Sequence, residues 1–351
     1  MKSGREVYLQ FFRYFHTLKN FKLSQIISYI SFKHRRKKLT FIDTNRVSLM
    51  ADSLKQNFKL EESQKNICFC FNNYPLSLST DEMKWEQEGF DSRCGEYWIK
   101  QLNSFDYINS EKETSYSLEQ VSFLILDWIS KNKNERADSW EPYTLSKRVT
   151  SWSKWVNNNK VSPCILSIIK LYVSSQLKRL FVDFEYHKPA NHLIENMRGF
   201  LSGCLLIMNS SQYFNNELEY QLEQVLDEAL IQINIQILED GGHFERSPMY
   251  HSLMLEAIKD IKELSIKISK LGFLLPELLE KSDKLTKLCE EKIKKMSEWL
   301  EALTMSDGNA AQFNDGSRIN GLKHSFEELT KLFEPSGFFV KHESEYSFIV
   351  S

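Results

Sequence analysis

The chain has 351 residues, 13% of them aromatic, a formal net charge of −2 and a mean hydropathy of −0.42. That is enough for one large domain, or one domain with a small companion, built on a real apolar core. No global basic field points to nucleic acid, so an acidic ligand would have to be met by a local basic cluster.

The first 40 residues read as short amphipathic helices. Arg13 and His16 interrupt the apolar run of Phe11, Phe12, Tyr14 and Phe15. Neither a signal-peptide core nor a spanning helix is expected there. This points to the cytoplasm, or to the periplasm if the true start lies elsewhere. The run His34-Arg35-Arg36-Lys37-Lys38 reads as a solvated loop, with contact to a membrane surface or polyanion as the alternative. The six cysteines include no CxxC pair and read as reduced thiols.

Residues 41–115 are mixed and rich in aromatics. Ile67-Cys68-Phe69-Cys70-Phe71 reads as a short strand, and Asn72-Asn73-Tyr74-Pro75 as a turn. From about 117 the pattern becomes helical. Ser117-Leu118-Glu119-Gln120 has the form of a capping box before an apolar segment that ends near Ser130. Residues 143–158, 162–184, 191–210, 216–238, 247–270, 275–280 and 283–304 each carry helical spacing. In the 191–210 segment the apolar positions are Leu193, Ile194, Met197, Leu201, Cys204, Leu205 and Met208. Short connections between such helices predict antiparallel hairpins. After Met305 the turn signals Ser306-Asp307-Gly308-Asn309 and Asn314-Asp315-Gly316 precede two strand-like runs, Gly337–Val340 and Tyr346–Val350. Two strands cannot bury a sheet alone. The expected division is a helical domain over 1–305 and a β segment over 306–351.

Two polar junctions carry the chemistry. Asn191-His192 opens one helix. Read plainly, Asn191 is its N-cap and His192 lies on the surface. Read functionally, an amide and an imidazole at a helix N-terminus form an anion site. The second junction is Asp240-Gly241-Gly242-His243-Phe244-Glu245-Arg246-Ser247-Pro248-Met249-Tyr250-His251. Ser247-Pro248 is a helix start, with Tyr250 and His251 in its first turn. Tyr250 either packs or serves as a phenol whose ionisation is eased by the helix dipole, a group able to take and give a proton. Arg246 could hold a carboxylate bidentately. His243, Glu245, His251 and Asp240 admit a metal reading, but their spacing fits no standard helical zinc pattern. No metal or cofactor is expected. Among the seven tryptophans, Trp140 beside Glu141, Pro142 and Tyr143 is the expected sugar platform.

These motifs are similar to those of the bacterial heparinase II/III-like proteins, a group of polysaccharide lyases and their relatives. DGGHFERSPMYH, from Asp240 to His251, resembles the family's most specific motif, and NHLIEN, from Asn191 to Asn196, resembles a second. Trp140-Glu141-Pro142-Tyr143 with Arg148 and Trp152, the stretch Trp98–Tyr107, and Phe313-Asn314-Asp315 also fit. The resemblance implies an incomplete (α/α) toroid followed by a C-terminal β-sandwich, of which 306–351 would be a truncated start. It implies β-elimination on uronic-acid glycans. Asn191 would then help neutralise the uronate carboxylate. His192 would assist it or act on the C5 proton, and Tyr250 would be the acid and, for some epimers, the base. Substrate contacts would come from Arg246, His243, Glu245, His251, Trp140 and Tyr143. The alternative is a non-catalytic relative that binds acidic glycan or takes part in surface polysaccharide assembly. Expected partners are acidic polysaccharide and a separately encoded β-sandwich, or a second copy through the β tail. Two departures stand out: the family's sandwich histidine has no counterpart here, and Asn103 replaces the histidine of the L-H-Y-F-D stretch.

Overall fold

A computed structural model of the chain describes residues 44–304 apart from 57, 59, 72–73, 87–89, 91–93, 110–115, 133–137, 189 and 209–214, together with 27, 30, 310–311, 314, 339–341 and 346–348. The N-terminal basic run and most of the region after 304 lie outside the described residues.

Helix α1 (Thr44–Gln56) precedes a hairpin of β1 (Asn66–Phe71) and β2 (Tyr74–Ser79). The hairpin pairs Ile67 with Leu78 and Cys70 with Pro75. Ile67, Phe69 and Phe71 turn inward while Asn66, Cys68 and Cys70 face out, the two-residue alternation of a strand with one buried face. Tyr74 and Pro75 therefore belong to β2 rather than to the expected turn. A proline is tolerated there because, among the described residues, β2 pairs with β1 alone. The hairpin packs by Phe71 on Trp98 (centroids 5.0 Å) of α2 (Glu96–Ser104).

The rest is helical: α3 (Leu118–Lys131), α4 (Pro142–Asn158), α5 (Pro163–Val182), α6 (Asn191–Met208), α7 (Asn216–Gln236), α8 (Pro248–Ser269) and α9 (Pro276–Ala302). Helix α3 opens on the expected capping box, with Ser117 and Gln120 bonding each other's backbone N–H. Helix α9 is continuous where two segments were expected. No breaker interrupts it: Ser282 faces the core, and Lys281 is anchored by Glu223 (2.8 Å) and Asp227 (2.6 Å) of α7. At the far end, Phe339–Lys341 (β3) and Tyr346–Phe348 (β4) pair antiparallel, as the strand-like runs predict.

Helices α4, α6 and α8 form an inner row. Gly199 of α6 lies against Ser146 of α4, and Gly203 against Val149 one turn further along both helices, so the two helices run parallel. A Cβ on Gly199 would stand 2.6 Å from the Ser146 Cα, so only glycine lets them approach this closely. Helix α8 continues the row, joined to α6 by Arg198–Asp260 (3.2 Å) and to α4 by Lys154–Asp260 (2.7 Å). Helices α5, α7 and α9 return between and outside them. The result is a mainly helical, incomplete (α/α) toroid of helical hairpins, with the N-termini of α4, α6 and α8 at one end. No helix among the described residues is long and apolar enough to cross a membrane.

Candidate functional site

The parallel inner row brings Tyr143, His192 and Tyr250 to the same end of the toroid, each in the first turn of its helix. Asn191 is the first residue of α6 rather than its N-cap, because the Leu193 N–H bonds the Ala190 carbonyl (3.0 Å). Among the described residues the Asn191 amide makes no hydrogen bond. His192 lies against the ring of Tyr143 (centroids 4.4 Å), and its Nδ1 sits 3.1 Å from Glu185 Oε2. Glu185 is buried and also accepts from Lys188 (3.0 Å). Burial alone would raise its pKa, but the His192 ring and the Lys188 ammonium hold the carboxyl down at about 2. Burial keeps the Tyr143 phenol protonated, well above its usual range.

The second junction is a tight loop seated on α9. Asp240 Oδ1 accepts from the Gly242 N–H (2.8 Å). Gly241 has φ +86°, and a Cβ there would meet the Lys295 carbonyl at 2.3 Å. Lys292 donates to the Ile237 carbonyl (2.9 Å), placing a cation at the carbonyl end of α7. Ser247 caps α8, accepting from the Tyr250 N–H (3.5 Å). Arg246 sits in the left-handed region (φ 57°), and Asn314 donates to its carbonyl (2.9 Å), tying the start of the tail to the junction. Arg246 and Tyr250 are half-buried.

The two junctions come within electrostatic range of each other at Glu245. Its half-buried carboxyl is pushed up by burial, and the nearby His192 ring pulls it back. Glu245 Oε2 also lies 3.7 Å from His243 Nδ1.

His243 and His251 are both fully buried, which corrects the expectation that they contact substrate. His251 Nε2 donates to the Met296 carbonyl (2.9 Å), and its Nδ1 accepts from the His243 N–H (3.2 Å). His243 Nε2 faces Gln236 Oε1 (3.4 Å). Burial, then the neighbouring His251, lowers the His243 pKa to about 3. Trp140 is likewise sealed in the core. The short helical turn before α4 tucks it against Trp128 (6.0 Å) and Tyr172 (5.9 Å). Arg148 locks that turn, donating to the Ser139 carbonyl (2.7 Å) while lying 3.9 Å over the Trp128 ring. Asn103 is a core residue too, bonded to Trp128 Nε1 (2.7 Å) and the Trp85 carbonyl (2.8 Å).

The sequence reading missed Glu185 and a charge cluster one turn below His192. Lys147 lies near Asp106 (3.4 Å) and Glu195 (3.8 Å), and Arg198 pairs with Glu195 (2.9 Å). Burial opposes the charge on Lys147, yet Asp106 and Glu195 raise its pKa above normal. Spacing could have located these residues: Lys147 is four positions after Tyr143, and Glu195 three after His192. Among the described residues no group of three His, Cys, Asp or Glu side chains is placed to hold a metal.

Comparison with known proteins agrees with this architecture. The family description "Heparinase II/III N-terminus" matches residues 5–339, and the chain belongs to that family. A crystal structure of heparinase III superimposes with a TM-score of 0.54 at 20% identity, covering 84% of this chain and 45% of that one. A mutant of heparan sulfate lyase HepC from Pedobacter heparinus gives 0.48 at 16% identity, covering 82% and 45%. The chain thus spans less than half the length of these structures. No curated protein matches.

Proposed function

We propose that this member of the heparinase II/III N-terminus family carries the helical half of a lyase site for uronic-acid polysaccharide. The observation that carries the reading is the approach of the two junctions at one end of the toroid. His192 and Glu245, 53 positions apart in the sequence, lie within electrostatic reach, at the end where α4, α6 and α8 all begin. Three helix N-termini aimed at one mouth favour an anionic ligand. In the proposed reaction Asn191 and Arg246 receive the uronate carboxylate. This stabilises the negative charge that builds up when the C5 proton is removed. His192 takes that proton, the C5–H electron pair becomes the C4=C5 double bond, and O4 leaves with a proton from Tyr250. Tyr143 and Glu245 contact the sugar. Each cleavage leaves an unsaturated uronate end, so incubation with a panel of uronate glycans should raise ultraviolet absorbance. A flat trace across the panel, with no glycan bound, would defeat the reading.

A second reading, glycan binding without turnover, is favoured by a specific observation. His243 and His251 are committed to the fold, which leaves His192 as the one accessible histidine at the mouth among the described residues. Measurable uronate-glycan binding, lost on Asn191→Ala and with no unsaturated product, would select it.

A further inference from the structure

We propose that Glu185 is a positioning residue that fixes the tautomer and the aim of His192. This rests on reading His192 as the group that takes the C5 proton. Glu185 lies in the connection between α5 and α6 and is held from both of its sides. Its backbone N–H donates to Asn196 Oδ1 (2.9 Å), and the Asn196 amide donates onward to Ser146 Oγ (3.2 Å) on α4. Its side chain is only 3% exposed and receives Lys188 on one oxygen and His192 Nδ1 on the other. The carboxylate is therefore clamped to the same two helices that carry Tyr143 and His192.

An ionised carboxylate can only accept hydrogen bonds. The proton on the neutral His192 ring must then sit on Nδ1, which leaves a lone pair on Nε2. The side chain is 31% exposed, and with Nδ1 turned to a buried partner the open edge is the Nε2 edge. The Tyr143 ring restrains one face of the imidazole. A second group that fixes which nitrogen carries the proton is the general means by which proteins aim a histidine base. When Nε2 takes the C5 proton, the imidazolium that forms lies against the Glu185 carboxylate, which stabilises it. Glu185 touches no substrate; it acts through His192.

The test is the His192 side-chain nitrogen spectrum of the full chain, taken for wild type, Glu185→Met and Glu185→Asp, with His192→Gln to assign the signal. At pH 8 the wild type should show the Nδ1–H tautomer. Glu185→Met should move His192 to Nε2–H, the form free imidazole prefers, and Glu185→Asp should keep a share of Nδ1–H. Nε2–H in the wild type overturns the proposal. So does unchanged Nδ1–H in a Glu185→Met variant whose circular dichroism matches wild type. If that variant does not fold, the wild-type and aspartate spectra decide. Where the chain turns over a glycan, Glu185→Met should lower kcat by about 10²-fold or more with KM unchanged. Raised KM with intact kcat would make Glu185 a binding group instead. Nδ1–H in a wild type that yields no unsaturated product would sink the lyase reading and leave the pairing standing.

Discussion

His251 Nε2 donates to the carbonyl of Met296 at 2.9 Å, bolting the first turn of α8 to α9. Its ring is stacked on Trp299 (4.5 Å), and its other nitrogen holds the His243 N–H. Both nitrogens are used within the fold, so the ring is a structural part. The polar density of the second junction is therefore partly architecture. It fixes the loop on α9 so that Glu245, Arg246 and Tyr250 are carried at the end where α8 begins.

Replacing His251 with Phe should keep the stack on Trp299 while leaving the buried His243 N–H unpaired and removing the extra bond on the Met296 carbonyl, which keeps its place in the α9 ladder. An orphaned buried N–H amounts to about 1–3 kcal/mol. The urea midpoint should fall clearly, with an unchanged slope. An unaltered midpoint would show that water or a shifted loop satisfies the N–H.

Much of this arrangement is legible in the sequence. Helical spacing located α6, and Leu193, Ile194, Met197, Leu201, Cys204 and Met208 are buried as the apolar pattern implies. Leu205 of the same pattern is only half-buried, and the spacing does not show which face is covered, because α6 is buried on nearly every side. Ser247-Pro248 marked the start of α8 to the residue. What stayed hidden depends on partners far away in sequence. His251 looks like a cleft residue until α9 arrives 45 positions later. Trp140 lies in a turn too short for any periodicity to show which way it faces. Glu185 reaches His192 around a non-helical connection, where no fixed spacing applies. Tyr74 and Pro75 look like a turn because only tertiary pairing makes β2 an edge that accepts proline.

Gly199→Ala should destabilise the domain more than an exposed helical substitution, although alanine favours helix. The added methyl would meet the Ser146 backbone, not the end of a flexible side chain. Forcing α4 and α6 apart amounts to overpacking, about 1–3 kcal/mol or more. Thermal unfolding would measure it, and a melting temperature equal to wild type would mean that the helices are not in this contact.

Acid should weaken the fold in two windows. His243 has a folded pKa near 3, below the ordinary value of about 6.5. The unfolded chain binds the extra proton between these values, so stability is full above the upper one and falls as pH drops toward the lower. Glu185, held near 2, adds a loss beginning below the ordinary glutamate value of about 4.3. Each group contributes a slope of up to ~1.4 kcal/mol per pH unit inside its own window. Between pH 6.5 and 4.5 His243 acts without Glu185, so His243→Gln should flatten the stability profile there while leaving the steeper fall at lower pH. A slope unchanged by His243→Gln would mean that the buried ring is not what titrates.

Tyr250→Phe and Asn191→Ala should fail in different ways if the chain is a lyase. The Tyr250 hydroxyl is proposed to move a proton in the transition state, so its loss should lower kcat by about 10²–10⁴-fold while glycan affinity changes little. Asn191 is proposed to meet the carboxylate in ground and transition states alike, so its loss should raise KM and lower kcat together. Tyr250 lies in the first turn of a helix already fixed by Ser247, Pro248 and His251, and Phe is nearly isosteric, so the fold should survive for a clean comparison. Steady-state kinetics on a cleaved glycan, with binding measured by calorimetry, separates the two. Normal turnover by Tyr250→Phe would remove the phenol from the mechanism. The proton for O4 would then have to come from another group at the mouth, and Glu245, whose carboxyl burial keeps protonated to higher pH, would be the first to substitute.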